Sequence, residues 1–148
     1  MLVATAAVIG LDQLTKQLAL EYLADAPVDI IKGALTFRLN YNAGGAFGIL
    51  QGVPAFFLIA TVVVAIAIVL WARNVEEPSW GIFLGMVLGG GLGNIIDRIF
   101  RSTGGRVVDF IDLHVWPIFN LADSFIVIGV GALLFLSARA ERASAKGS

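Results

Sequence analysis

The sequence predicts a membrane all-α protein: a four-transmembrane-helix bundle carrying a small extracytoplasmic β-sheet and loop cradle. Three observations predict it. Of 148 residues, 58% are apolar and only 14% are charged, where a soluble domain carries about 25% charged residues. The mean hydropathy is +0.88. The apolar residues also gather into four long stretches, about 2–23, 53–72, 79–97 and 117–138. A core this apolar leaves too little polar surface to cover it in water, so a bilayer is its natural solvent. The length suits a single domain spanning 1–148.

The second stretch is the cleanest. No charge lies between Arg38 and Arg73, and residues 53–72 are continuously apolar. At about 1.5 Å per residue they make a helix about 30 Å long, the thickness of a hydrocarbon core. Pro54 falls in its first turn, where a missing N–H costs least. The third stretch is uncharged until Asp97-Arg98, the fourth is broken by Asn120 and Asp123, and the first carries Asp12, Gln13 and Lys16 near its middle. Charges inside that first stretch, with no basic region before it, argue for a retained helix over a cleaved signal peptide. Gly81, Gly85, Gly89 and Gly93 recur at every fourth position of the third helix, a spacing that lets helix backbones approach closely in lipid.

Four spans put both termini on one side of the membrane, and the links 24–52 and 98–116 on the other. Basic residues divide almost evenly between the sides, and the cluster Arg139, Arg142 and Lys146 favours cytoplasmic termini. In the first link, Leu35 to Asn42 alternates apolar and polar and reads as a half-buried strand. The glycine-rich run Asn42 to Gly48 follows it, and Val107–Trp116 adds a second short strand.

Composition excludes several functions. Ten basic against eleven acidic residues leave no surplus to neutralise phosphates. Without cysteine there is no disulfide, zinc–thiolate site or thiol nucleophile, and the single histidine, His114, excludes a multi-histidine metal site. No metal and no cofactor is expected.

A charge near the bilayer centre costs at least about 2.5 kcal/mol, so such a residue needs a partner, water or a task. The topology brings Asp97, Asp109 and Asp123 to one membrane face, with Asn42 on the same side. Gly90, Asn94, Asp97 and Arg98 form one helical stripe, Asn120 and Asp123 are three apart, and Asp12 and Lys16 are four apart in the favourable order for an ion pair. The plain alternative is that Asp12 and Lys16 only neutralise each other. Asp112 and His114 read as exposed strand residues. No Gly-x-Ser-x-Gly elbow is present. Two facing aspartates, however, suffice for hydrolysis: they share one proton, the ionised member takes a proton from water, and the protonated member polarises a carbonyl and later protonates the leaving amine. Asp109 and Asp123 are the expected pair, with Asp97 supporting them.

At these residues the chain resembles the lipoprotein signal peptidases (signal peptidase II), integral-membrane aspartyl peptidases. Asp12-Gln13-Leu14-Thr15-Lys16 resembles that family's first block, and Asn42-Ala43-Gly44-Gly45-Ala46-Phe47 its second. Gly90-Gly91-Leu92-Gly93-Asn94-Ile95-Ile96-Asp97-Arg98, Val107-Val108-Asp109-Phe110 and Phe119-Asn120-Leu121-Ala122-Asp123-Ser124 are similar to the rest, in the family's order. The resemblance implies four membrane helices, cytoplasmic termini and an active site near the outer face of a bacterial inner membrane. It implies a prolipoprotein substrate whose cysteine bears a diacylglyceryl group, cut on the amino side of that cysteine. It places the catalytic pair on Asp109 and Asp123. Asp12, Asn42, Asn94, Asp97, Arg98 and Asn120 fall on substrate-binding or site-ordering positions, and Lys16 and Gly44 belong to the same matched blocks. Asn42 and Asn120 are expected to donate to substrate carbonyls. The partners expected are lipid-modified prolipoproteins and membrane lipids, with the protein itself a monomer.

Two other classes compete. A proton- or cation-coupled carrier would use Asp12, Asp97 and Asp123 as relay groups. A metal-dependent lipid transferase would hold Mg²⁺ between Asp97, Asp109 and Asp123.

Overall fold

Among the described residues, charged and amide side chains share the interior with the apolar core. The largest fully buried side chains are Lys16, Leu84, Val108, Asn120, Asp12, Asp97 and Asp109, while Leu2, Val3, Ile59, Val63, Val127, Leu134 and Phe135 face outward. That distribution suits a chain whose outer surface meets lipid tails. The computed structural model describes residues 1–44, 54–73, 75 and 77–147.

Among the described residues seven elements follow in order: α1 (Leu2–Tyr22), β1 (Val28–Ile31), β2 (Leu35–Asn42), α2 (Pro54–Ala72), α3 (Pro78–Phe100), β3 (Val107–Asp112) and α4 (Leu121–Gly147). Among the described residues, Pro78–Phe100 and Leu121–Ala143 are long and apolar enough to cross a membrane, and Leu58–Ala72 is a shorter apolar helix. α1 carries Asp12, Lys16 and Glu21, which lower its hydropathy. The expected start of the second helix at Val53, and Gly45 to Gly48 of the glycine-rich run, lie outside the described residues.

α3 is the axis of the bundle, packed against α1, α2 and α4. Its glycines set the distances. A methyl group on Gly89 would lie 2.8 Å from Val8 Cβ, and one on Gly93 would lie 2.5 Å from Asp12 Oδ2. On the other side, Gly90 would press on the Ala122 carbonyl at 2.5 Å and Gly129 of α4 on Val87 at 2.7 Å. Residues larger than glycine would hold the helices apart, and lipid offers no hydrophobic force to restore the contact.

Three helix boundaries differ from the sequence expectation. α3 does not end at Asp97-Arg98 but runs to Phe100, because Asp97 is neutralised inside the protein by Lys16 and by Arg101 one turn on. α4 begins at Leu121, four residues later than expected at 117. Pro117–Asn120 is extended, and Phe119 bridges back to Ile111. At its other end α4 runs past the expected limit of 138 to Gly147, as the alanine, arginine and lysine content there allows.

β1, β2 and β3 form an antiparallel sheet in that order. β1 carries no clear alternation and was not legible in advance. β3 stops at Asp112, short of Trp116, because His114 adopts a left-handed backbone (φ 62°) and its N–H turns back to Asp112 Oδ1 at 2.8 Å. Asp112 is therefore buried rather than exposed, paired with Arg38 at 2.8 Å. The Thr36 hydroxyl donates to Asp29 at 2.7 Å, so it accepts from His114 Nε2 at 2.8 Å, tying the three strand ends together. Phe37 and Phe110 meet edge-to-face at 6.2 Å and seat the sheet on Ala19 and Leu23 at the end of α1. The α3–β3 turn needs consecutive left-handed residues, supplied by Gly104 and Gly105 (φ 67° and 79°).

Candidate active site

Asp109 enters the site through a fault in the sheet. The β2–β3 register shifts by one residue between Phe37 and Asn40, so Arg38 and Leu39 both oppose Phe110 and Asn40 then faces Asp109. A bulge of this kind re-aims the side chains beyond it. Asn42, two residues further, donates its amide to Asp109 Oδ2 at 3.0 Å and accepts the Gly44 N–H at 2.9 Å. Asn120 donates to the other oxygen, Oδ1, at 2.7 Å.

Asp123 arrives with the start of α4. Asn120 Oδ1 accepts the Asp123 N–H at 2.9 Å, and Asp123 Oδ2 accepts the Asn120 N–H at 3.3 Å. This is a reciprocal cap with asparagine before the helix and aspartate three residues on. Asp123 Oδ1 accepts from Asn94 of α3 at 2.8 Å. The adjoining N–H, that of Ala122, goes to Asp12 Oδ1 at 3.1 Å, so a residue from α1 completes the cap of α4. The two aspartates of the expected pair are therefore tied to one residue, Asn120, whose side chain donates to the Asp109 carboxylate and whose backbone N–H donates to that of Asp123, and both line one cavity of about 630 Å³.

The remaining expected residues divide into two groups. Asn42, Gly44, Asn94 and Arg98 line the cavity with Asp109 and Asp123, together with Tyr41, Trp116 and Phe119. Asp12, Lys16, Asp97 and Asn120 are fully buried behind that wall. The stripe on α3 splits accordingly: Asn94 and Arg98 face the cavity, whereas Asp97 turns toward α1. Its Oδ2 receives Lys16 and the Val108 N–H, both at 3.0 Å, and its Oδ1 receives Arg101 at 3.0 Å and Gln13 at 3.1 Å. Holding Val108 fixes the residue before Asp109. Gln13 and Arg101 were not singled out from the sequence. The four-residue step from Asp97 to Arg101 was the available signal, and the Arg101–Gln13 bond of 2.9 Å joins residues 88 positions apart, which no local spacing reveals.

The electrostatics are uneven. Asp109 is wholly buried, and burial first, then the negative charge of Asp123, pushes its carboxyl up to about 7 despite the amides of Asn42 and Asn120. Both hydrogens of the Asn120 amide are in use, on Asp109 and on Asn94 Oδ1 at 3.2 Å. The expected donation from Asn120 to a substrate carbonyl would thus cost an existing bond, whereas Asn42 uses one of its two amide hydrogens among the described residues. Arg98 binds the Asn94 and Gly44 carbonyls, each at 3.3 Å, through its terminal nitrogens, and its Nε is buried without a partner among the described residues.

The fold and the site define a helical membrane enzyme whose polar interior opens onto a carboxylate-lined cavity beside a small sheet. A solved bacterial membrane enzyme superimposes with a TM-score of 0.80 at 31% identity, covering 93% of this chain and 86% of that one. A second does so with a TM-score of 0.78 at 32% identity, over 90% and 89%. The chain belongs to the signal peptidase II family, whose sequence model matches residues 4–139. It is 41% identical to a lipoprotein signal peptidase of Rhodococcus jostii over 88% of this chain and 68% of that protein. It is 40% identical to one from Caldicellulosiruptor bescii, over 85% and 82%.

Proposed function

We propose that this protein is a membrane-embedded aspartyl endopeptidase that removes signal peptides from diacylglyceryl-modified prolipoproteins, cutting on the amino side of the lipidated cysteine. One observation carries this reading: Asp109 and Asp123, fixed by three asparagines, share the wall of one cavity in a bundle with apolar outer faces. Family membership supports the substrate class. In the proposed arrangement α1, α2, α3 and α4 all span a bacterial inner membrane, the termini are cytoplasmic and the sheet lies at the outer face. The protein acts as a monomer.

Below about pH 7 Asp109 holds a proton, and Asp123 acts as the base. The scissile carbonyl accepts a hydrogen bond from the Asp109 hydroxyl, which polarises it. Asp123 takes a proton from a water whose oxygen bonds to the carbonyl carbon, giving a tetrahedral oxyanion. As the oxyanion re-forms the carbonyl, the C–N bond breaks and the Asp109 proton passes to the departing amine. The pair again holds one proton, now on Asp123, and its return to Asp109 resets the site. The second amide hydrogen of Asn42 and the Nε of Arg98 are placed to hold substrate carbonyls, while the two acyl chains stay in lipid.

The carrier reading finds no support in the family. The metal reading needs three converging carboxylates, but both Asp97 oxygens are taken by Lys16, Arg101, Gln13 and Val108. The deciding experiment incubates a diacylglyceryl-modified prolipoprotein with wild type, Asp109→Asn and Asp123→Asn, and weighs the products. Each amide variant should lose at least about 1,000-fold in turnover. A variant that cuts at the wild-type rate removes its aspartate from the reacting pair.

A further inference from the structure

Lys16 is wholly buried and does not reach the cavity. Its three ammonium hydrogens meet three acceptors: Asp12 Oδ2 at 2.9 Å, Asp97 Oδ2 at 3.0 Å and Asn94 Oδ1 at 2.9 Å. The third contact has a chemical consequence. Asn94 Oδ1 also receives Asn120, so the amide nitrogen of Asn94 must be the end that faces Asp123. A flipped Asn94 would set its NH₂ against an ammonium and its oxygen against a carboxylate.

Charge is the second consequence. Asp12 from α1, Asp97 from α3, Asp109 from β3 and Asp123 from α4 face three cations, Lys16, Arg98 and Arg101. β2 contributes the uncharged Asn42, its Arg38 being paired with Asp112. Asp12, Lys16, Asp97 and Asp109 are buried and Asp123, Arg98 and Arg101 half-buried around them, and buried charge is costly unless balanced. Four acids against three bases balance when one proton is bound.

We propose that Lys16 is a positioning residue for the reaction, turning the Asn94 amide onto Asp123 and balancing the buried cluster with a single proton on the Asp109–Asp123 pair. The proposal rests on the reading of those two aspartates as the reacting pair. Removing Lys16 leaves the cluster short of a positive charge and draws protons in; neutralising Asp12 does the reverse. Neither residue lines the cavity.

The test uses the purified full chain in detergent and follows the infrared carboxyl band that Asp109→Asn abolishes, alongside cleavage of a lipidated prolipoprotein. In wild type the band should titrate at about 7. Asp12→Asn should move it down and Lys16→Met up, each by about one pH unit, and Asp12→Asn/Lys16→Met should return it close to wild type. Turnover in Lys16→Met and in the double variant should fall at least about tenfold with KM within about twofold, since Asn94 Oδ1 loses the Lys16 donor in both and keeps only that of Asn120. A band unmoved, or moved the same way, by the two single changes overturns the proposal, as does wild-type turnover in the double variant. If Lys16→Met does not fold, Asp12→Asn decides alone by moving the band down or leaving it. A wild type that leaves the lipidated substrate uncut while the band moves as described sinks the peptidase reading but not the charge device.

Discussion

Asn120 and Asp123 cap one another, each taking the other's backbone N–H, at 2.9 and 3.3 Å. The same amide reaches Asp109 at 2.7 Å, so starting α4 and bringing the two carboxylates together are one structural event. The two roles of Asn120 separate by substitution. Asn120→Ala should lose about 1 kcal/mol of helix-cap stability and at least about tenfold in turnover. Asn120→Ser keeps a capping oxygen but cannot reach Asp109, so its melting temperature should recover while turnover does not. Recovery of both in thermal denaturation and cleavage assays would deny the bridging role.

The raised carboxyl of Asp109 gives a pH dependence of definite sign. Between the unfolded value near 3.8 and about 7, the folded protein holds a proton that the unfolded chain releases. Stability therefore falls as pH rises through this window and levels off above it, by an amount on the order of 4 kcal/mol. Asp109→Asn should flatten this slope and melt higher than wild type above pH 7. Cleavage should decline on the alkaline side as Asp109 loses its proton. A wild-type melting curve independent of pH over 4–8, set beside that of Asp109→Asn, would count against the buried proton.

Close packing around Gly93 is testable without any substrate. A methyl group there would fall 2.5 Å from Asp12 Oδ2, and Asp12 is held on its other oxygen by Ala122 and on the same side by Lys16. Gly93→Ala should destabilise by about 1–3 kcal/mol through overpacking. Gly131→Ala, with nothing within 4 Å of the added carbon, should be nearly neutral. Equal melting temperatures for the two variants would reject this account of the glycine spacing.

Much of the site could be read from the sequence because chemistry in lipid is conspicuous. Asp12, Lys16, Asp97 and Asp123 stand out in apolar stretches, and the period-two run at Leu35–Asn42 gave β2 its observed limits. What could not be read depended on contacts between distant segments. Asn120 is both a helix cap and a bridge, and only the α3–β3–α4 arrangement shows why α4 starts at Leu121 instead of at 117. The bulge that turns Asp109 toward the cavity has no local signature in β2, and β1 is a short exposed strand recruited by its neighbour. Asp112 read as exposed because its partners Arg38 and the His114 N–H come from a neighbouring strand and a left-handed turn.

Arg98 offers the sharpest test of substrate binding. Its terminal nitrogens are anchored on the carbonyls of Asn94 and Gly44, which hold the guanidinium at the cavity wall while Nε stays buried and unpaired among the described residues. A buried donor without an acceptor costs about 1–3 kcal/mol, which a bound carbonyl would recover. Arg98→Lys keeps the charge but cannot hold two carbonyls and offer a third donor in a fixed fork. Its KM for a lipidated prolipoprotein should rise about 5- to 150-fold, the same energy expressed as a ratio, with kcat within about threefold of wild type. If instead kcat collapses and KM stays constant, Arg98 acts on the transition state alone and the carbonyl-holding role is wrong.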